Sequence, residues 1–87
     1  AAAAALPGSP HHLRSVFDEF VLDVDAALDL VLVKTEPGGA QPVAQAIDDM
    51  RWTDVAGTLA GEDTIIVIPR RRRLSQTVLR RLRALTA

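Results

Sequence analysis

The sequence contains no cysteine, and its aromatic residues amount to 3%: Phe17, Phe20 and Trp52 are the whole set. Without thiols there is neither a disulfide framework nor a thiolate metal site, and the composition fits a cytoplasmic protein. Three aromatics leave little material for base stacking, which argues against single-strand nucleic-acid recognition. Histidine is confined to the adjacent His11 and His12, and no glycine-rich phosphate loop is present. The chain is therefore read as a non-enzyme, with no catalytic residue, metal site or cofactor. No apolar run approaches the ~20 residues of a membrane span. The start also lacks the basic-then-apolar order of a signal peptide.

What is abundant is aliphatic surface. The chain has 87 residues, 48% of them hydrophobic, and a mean hydropathy of +0.15. A domain of this size buries only about two-thirds of the surface its unfolded chain exposes. Surplus aliphatic surface without a staple implies burial against copies of the same chain. Charge is unevenly spread. Residues 1–69 carry all 11 acids against Arg14, Lys34 and Arg51, a net of −8, whereas residues 70–87 carry seven arginines and no acid. Either the two parts complement each other within an assembly, or the basic end meets a polyanion.

Residues 1–14, with five alanines and Leu-Pro-Gly-Ser-Pro-His-His, read as a leader, linker or tag remnant, leaving 15–87 as one domain. From Val16 to Thr35 the pattern predicts strands. Phe20, Leu22 and Val24 alternate with Val21, Asp23 and Asp25, the period of a half-buried strand. The run Leu28–Val33 is more fully apolar and is placed centrally in a sheet, joined to the first strand by a short Ala26-Ala27 turn. Glu36-Pro37-Gly38-Gly39 breaks that strand, and a helix is predicted from about Gly39 to Met50, with Pro42 in its first turn. Ala40, Val43, Ala44, Ile47 and Met50 form its apolar stripe, and Gln41, Gln45 and Asp48 align on a separate polar face. Val55–Ala60 and Asp63–Ile68 read as a hairpin turned at Gly61-Glu62. A final amphipathic helix spans about Leu74–Leu85, with Arg80, Arg81 and Arg83 outward. The predicted class is α+β: a two-layer domain with an antiparallel four-stranded sheet and two helices on one face, in the order ββαββα.

One segment stands out. In Gly57–Ile66 two adjacent carboxylates, Glu62 and Asp63, sit on a glycine-centred turn between apolar runs. Acids there add nothing to a core, but a carboxylate pair held on a hairpin can recognise a cation.

Gly57-Thr58-Leu59-Ala60-Gly61-Glu62-Asp63-Thr64-Ile65 resembles the effector-binding loop of the bacterial arginine repressor family, usually Gly-Thr-Ile-Ala-Gly-Asp-Asp-Thr-Ile. Thr35-Glu36-Pro37-Gly38-Gly39-Ala40-Gln41 resembles the family's lead-in to its first C-terminal helix, and Asp48 stands seven residues after Gln41, as in the family. The likeness spans about residues 20–85. Glu62 replaces a usual Asp, Pro42 a usual aliphatic residue, and Arg70–Arg73 has no familiar counterpart.

The resemblance implies a C-terminal oligomerisation domain that binds L-arginine as corepressor. It implies a homotrimer and a homohexamer of two stacked trimers, with arginine at the seam, controlling arginine-metabolism genes. Operator DNA would be read by a separate N-terminal winged-helix domain, for which no helix-turn-helix pattern precedes residue 15. The ligand-binding set carried over is Gln41, Asp48, Thr58, Ala60, Glu62 and Asp63. Bidentate pairing of a guanidinium with a carboxylate separates arginine from lysine or citrulline. Two other readings compete: a structural oligomerisation module without effector response, and a nucleic-acid-binding module built on the basic terminus.

Overall fold

The computed structural model describes residues 6–86, so residues 1–5 of the expected leader and Ala87 lie outside it. Described elements run α1 (Pro10–Phe20), β1 (Val21–Ala27), β2 (Leu30–Thr35), α2 (Ala40–Asp49), β3 (Val55–Ala60), β4 (Thr64–Pro69) and α3 (Ser75–Arg83). Short 3-10 turns at Arg72–Leu74 and Ala84–Thr86 flank α3. The strands form one antiparallel sheet in the order β1-β2-β4-β3. The α+β class and the ββαββα order are those predicted, with one further helix ahead of them.

That helix displaces the strand expected from Val16, which begins only at Val21. Ser9 starts α1, accepting the His12 amide on its hydroxyl at 3.0 Å, and Pro10 occupies the first turn. Leu13, Val16 and Phe17 are buried at helical spacing. Apolar residues here satisfy both periods locally, and the cap together with packing on the other helices selects the helix. Residues 10–14 of the segment read as leader thus belong to α1.

Val24, Val31, Val33, Ile65 and Val67 line the inner sheet face, and α1, α2 and α3 cover it with Phe17, Val43, Ile47, Val78 and Leu82. Burying each such side chain is worth about 1.5–3 kcal/mol relative to exposure. Both edge strands carry a bulge. Register slips between Val21 and Asp23 on β1 and between Val55 and Gly57 on β3. On β1 the extra residue sends Leu22 outward, 63% exposed, against the inward position its alternation suggested, while Val24 stays buried. The β1–β2 turn also falls two residues later than predicted. Ala27 pairs with Leu30, leaving Leu28 at φ 56° and 96% exposed in the turn rather than in β2.

The outer face has no helix over it among the described residues. By register it presents Leu32 opposite Ile66, and Ile66 opposite Leu59. Leu59 is 65% exposed and Ile68 39%. An apolar sheet face of this kind is a marker of association rather than of a monomer.

α3 also departs from expectation. Arg81 is turned inward: it pairs with Asp54 at 2.8 Å and its guanidinium carbon lies 4.5 Å from the Trp52 ring centroid. Arg83 reaches back to the Val24 carbonyl at 3.2 Å. Arg80 alone of the three stays clear of such contacts among the described residues.

Candidate functional site

The Glu62-Asp63 turn is sewn to the start of α2 by backbone. The Glu62 carbonyl accepts the amides of Gly38 at 3.0 Å and Ala40 at 3.3 Å, and the Asp63 carbonyl accepts the Thr35 amide at 2.8 Å. Gly38 adopts φ +83°, a conformation that side chains rarely take, to bring its amide round. At Gly39 an added Cβ would stand 2.9 Å from Phe20, so the end of α1 can rest directly on the lead-in to α2 only because this residue has no side chain.

Side chains continue the seam. Gln41 Nε2 donates to the Ala60 carbonyl at 3.3 Å. Seven residues further along α2, about 10 Å at 1.5 Å per residue, the Thr58 hydroxyl lies 3.0 Å from both carboxylate oxygens of Asp48. Thus α2 and β3 run in opposite directions past each other, pinned at Gln41–Ala60 and Asp48–Thr58. All six residues singled out in the sequence lie along this one seam. Gln45 does not join it, donating instead to Asp49 at 2.9 Å.

The three acids of the seam are among those that form no ion pair between described residues. Ion pairs among the described residues engage Asp25, Asp29 and Asp54. Asp48, Glu62 and Asp63 are exposed and make none. Among the described residues the Asp63 carboxylate accepts only the Thr64 hydroxyl, at 3.0 Å, and that hydroxyl in turn accepts Lys34 Nζ at 3.1 Å. The Asp48 and Asp63 carboxylates are therefore oriented by neutral donors and retain capacity for a cation.

Sequence spacing did not reveal the residues around Asp48. Ile47, Arg51, Trp52, Val55, Ala56 and Gly57 join it in lining a pocket of about 110 Å³. The sole hint was the isolated Trp52. This volume falls short of the roughly 300–1,000 Å³ of a self-contained small-molecule site. One chain therefore offers only a partial wall at this point.

A family profile described as the C-terminal domain of the arginine repressor matches residues 17–84. An arginine repressor of Pelotomaculum thermopropionicum is 42% identical over 88 residues, covering 94% of this chain and 58% of the relative. That of Moorella thermoacetica is 40% identical over 87 residues with the same shares. That of Desulforudis audaxviator is 52% identical over 52 residues, 60% of this chain and 35% of the relative. The chain thus spans a little over half the length of the first two. With the profile covering most of the chain and the signature residues drawn into one seam, the chain belongs to the arginine repressor family, as its C-terminal domain.

Proposed function

We propose that this domain assembles a transcriptional repressor and senses L-arginine as its corepressor, in the cytoplasm, with operator DNA read by the portion of the relatives that this chain does not span. The observation that carries the reading is the seam itself: three carboxylates without cationic partners, held beside Gln41 by a turn fastened to α2. Asp63 and Glu62 are assigned the guanidinium, and Asp48 and Gln41 the amino-acid end, with Thr58 holding Asp48 and the Ala60 carbonyl holding Gln41. A charge-assisted hydrogen bond contributes about 1.5–3 kcal/mol, so two or three of them supply much of a micromolar affinity.

Two further features support an assembly of trimers paired into hexamers. The outer sheet face is apolar and uncovered, and the wall around Asp48 is incomplete within one chain. A ligand that binds only the assembled arrangement stabilises it by RT ln(1 + [L]/Kd) per independent site, about 2.7 kcal/mol at one hundred times Kd. Six sites at a shared seam turn a modest affinity into a steep switch.

Calorimetric titration with L-arginine, and with L-citrulline as control, tests this. Citrulline keeps the amino-acid end and replaces the guanidinium by a neutral urea. Heat with arginine and none with citrulline is expected, lost in Asp63→Asn. Absence of binding by a folded, oligomeric sample would leave a structural module and end the sensor reading.

A further inference from the structure

The largest unbalanced positive charge lies at the opposite end of the sheet from the acidic turn. β4 separates Asp63 from Arg70, seven residue steps or about 24 Å at ~3.4 Å each. At this end Arg70, Arg71, Arg72 and Arg73 are all exposed and border one shallow concavity. The acids nearby are already engaged: Asp29 by Arg72 at 2.9 Å, Asp54 by Arg81 at 2.8 Å and Asp25 by Arg83 at 3.9 Å. Among the described residues the Arg70 guanidinium makes only a long hydrogen bond to the Val55 carbonyl, 3.4 Å. Arg70, Arg71, Arg73 and Arg80 form no ion pair among the described residues. Even the Arg72–Asp29 pair, with side chains 85% and 51% exposed, is of the kind worth little in water and easily exchanged.

Four adjacent guanidinium groups with almost no acid to balance them hold a local positive field. Each presents a planar fork that matches a phosphate bidentately. Arg71 is extended, at φ −139° and ψ 151°, and Arg72 and Arg73 follow in the short 3-10 turn before α3, so the run forms a rim ahead of that helix. A linear polyanion matches a rim of this kind better than a compact ligand does. Acids of another copy are the competing occupant, and the sedimentation readout separates the two.

We infer that Arg70–Arg73 form a sequence-independent contact for the phosphate backbone of duplex DNA, so that this domain itself adds to DNA affinity. The inference rests on the repressor reading only for the presence of DNA nearby; the contact needs no bound L-arginine.

The test is fluorescence anisotropy of a labelled duplex of about 20 base pairs and arbitrary sequence, titrated with this chain without L-arginine, between about 50 and 200 mM salt. Each phosphate contact contributes about −0.9 to the slope of log K against log salt. Arg71→Ala/Arg73→Ala is therefore expected to flatten the slope by about 1.8 and to weaken binding more than about tenfold at the lowest salt. Arg14→Glu removes the same net charge from α1 and is expected to stay within about twofold, since its position lies off the rim. Arg71→Lys/Arg73→Lys is expected to keep most of the slope.

Three results overturn the inference: no binding by the parent chain at about 50 mM salt, equal losses in the two charge-matched variants, or a fall in assembly mass by sedimentation with DNA binding unchanged. The last would assign the arginines to another copy. Asp63→Asn, which removes arginine heat, is expected to leave the DNA slope intact, so the ligand reading and the phosphate contact fail separately.

Discussion

Arg81→Ala probes how α3 is anchored to the loop that carries the pocket. The Arg81–Asp54 contact is 2.8 Å, with side chains 37% and 13% exposed. Two unit charges about 4 Å apart attract by about 4 kcal/mol at an effective dielectric of about 20. Desolvation of the partly buried carboxylate and ordering of the arginine offset roughly half of that. The face of Trp52, with the guanidinium carbon 4.5 Å from its centroid, adds about 0.5–1 kcal/mol. Truncation also leaves Asp54 mostly buried without its ion-pair partner. The expected loss is about 2–3 kcal/mol, or roughly 10–20 °C in Tm for a domain of this size. Trp52 is the single tryptophan, so urea and thermal melts followed by its emission report directly on this contact. Arg81→Lys keeps the charge without the planar stack and should lose about half as much. A cycle with Asp54→Asn should return a coupling above about 1 kcal/mol. A change below about 0.5 kcal/mol for Arg81→Ala, or strict additivity with Asp54→Asn, would refute the reasoning.

Gly39→Ala should destabilise by about 1–3 kcal/mol in a urea melt, because a Cβ there stands 2.9 Å from Phe20 and forces that ring aside. Ser9→Ala should cost about 1 kcal/mol and raise amide exchange across the first turn of α1, since the hydroxyl that caps the His12 amide is lost. Ile66→Lys places a charge opposite Leu32 and Leu59 on the outer face. It should lower the assembly mass in sedimentation velocity while leaving far-ultraviolet circular dichroism unchanged.

Much of the fold was legible because its elements carry strong local signals. Breakers at Glu36–Gly39 and Gly61, the β-branched run in β4, and the 3.6-residue stripes of α2 and α3 left little choice of element. α1 was missed because Val16, Phe17 and Phe20 read equally as the start of an alternating strand. Helix formation there depends on the Ser9 cap and on burial of Leu13 against residues distant in sequence. The two bulges escaped for a related reason: an extra residue in an edge strand changes which face a side chain takes without changing composition. Arg81 looked like one more solvated arginine, since Trp52 and Asp54 lie 27 or more positions away.

At the site, the sequence by itself determined residue types and their spacing. Gln41, Asp48 and the Glu62-Asp63 turn could be named because carboxylates and amides on a glycine turn and a polar helix face have no role in a core. Only the tertiary structure decided that they form one seam, because backbone hydrogen bonds from Gly38, Ala40 and Thr35 bring the β3–β4 turn onto the start of α2. It also separated which charges are spent from which are free. Asp25, Asp29 and Asp54 meet arginines that folding carries to them, whereas Asp48, Glu62 and Asp63 in the seam form no ion pair among the described residues. Charge along a chain is a matter of composition; its neutralisation depends on distance, and distance is set by the fold.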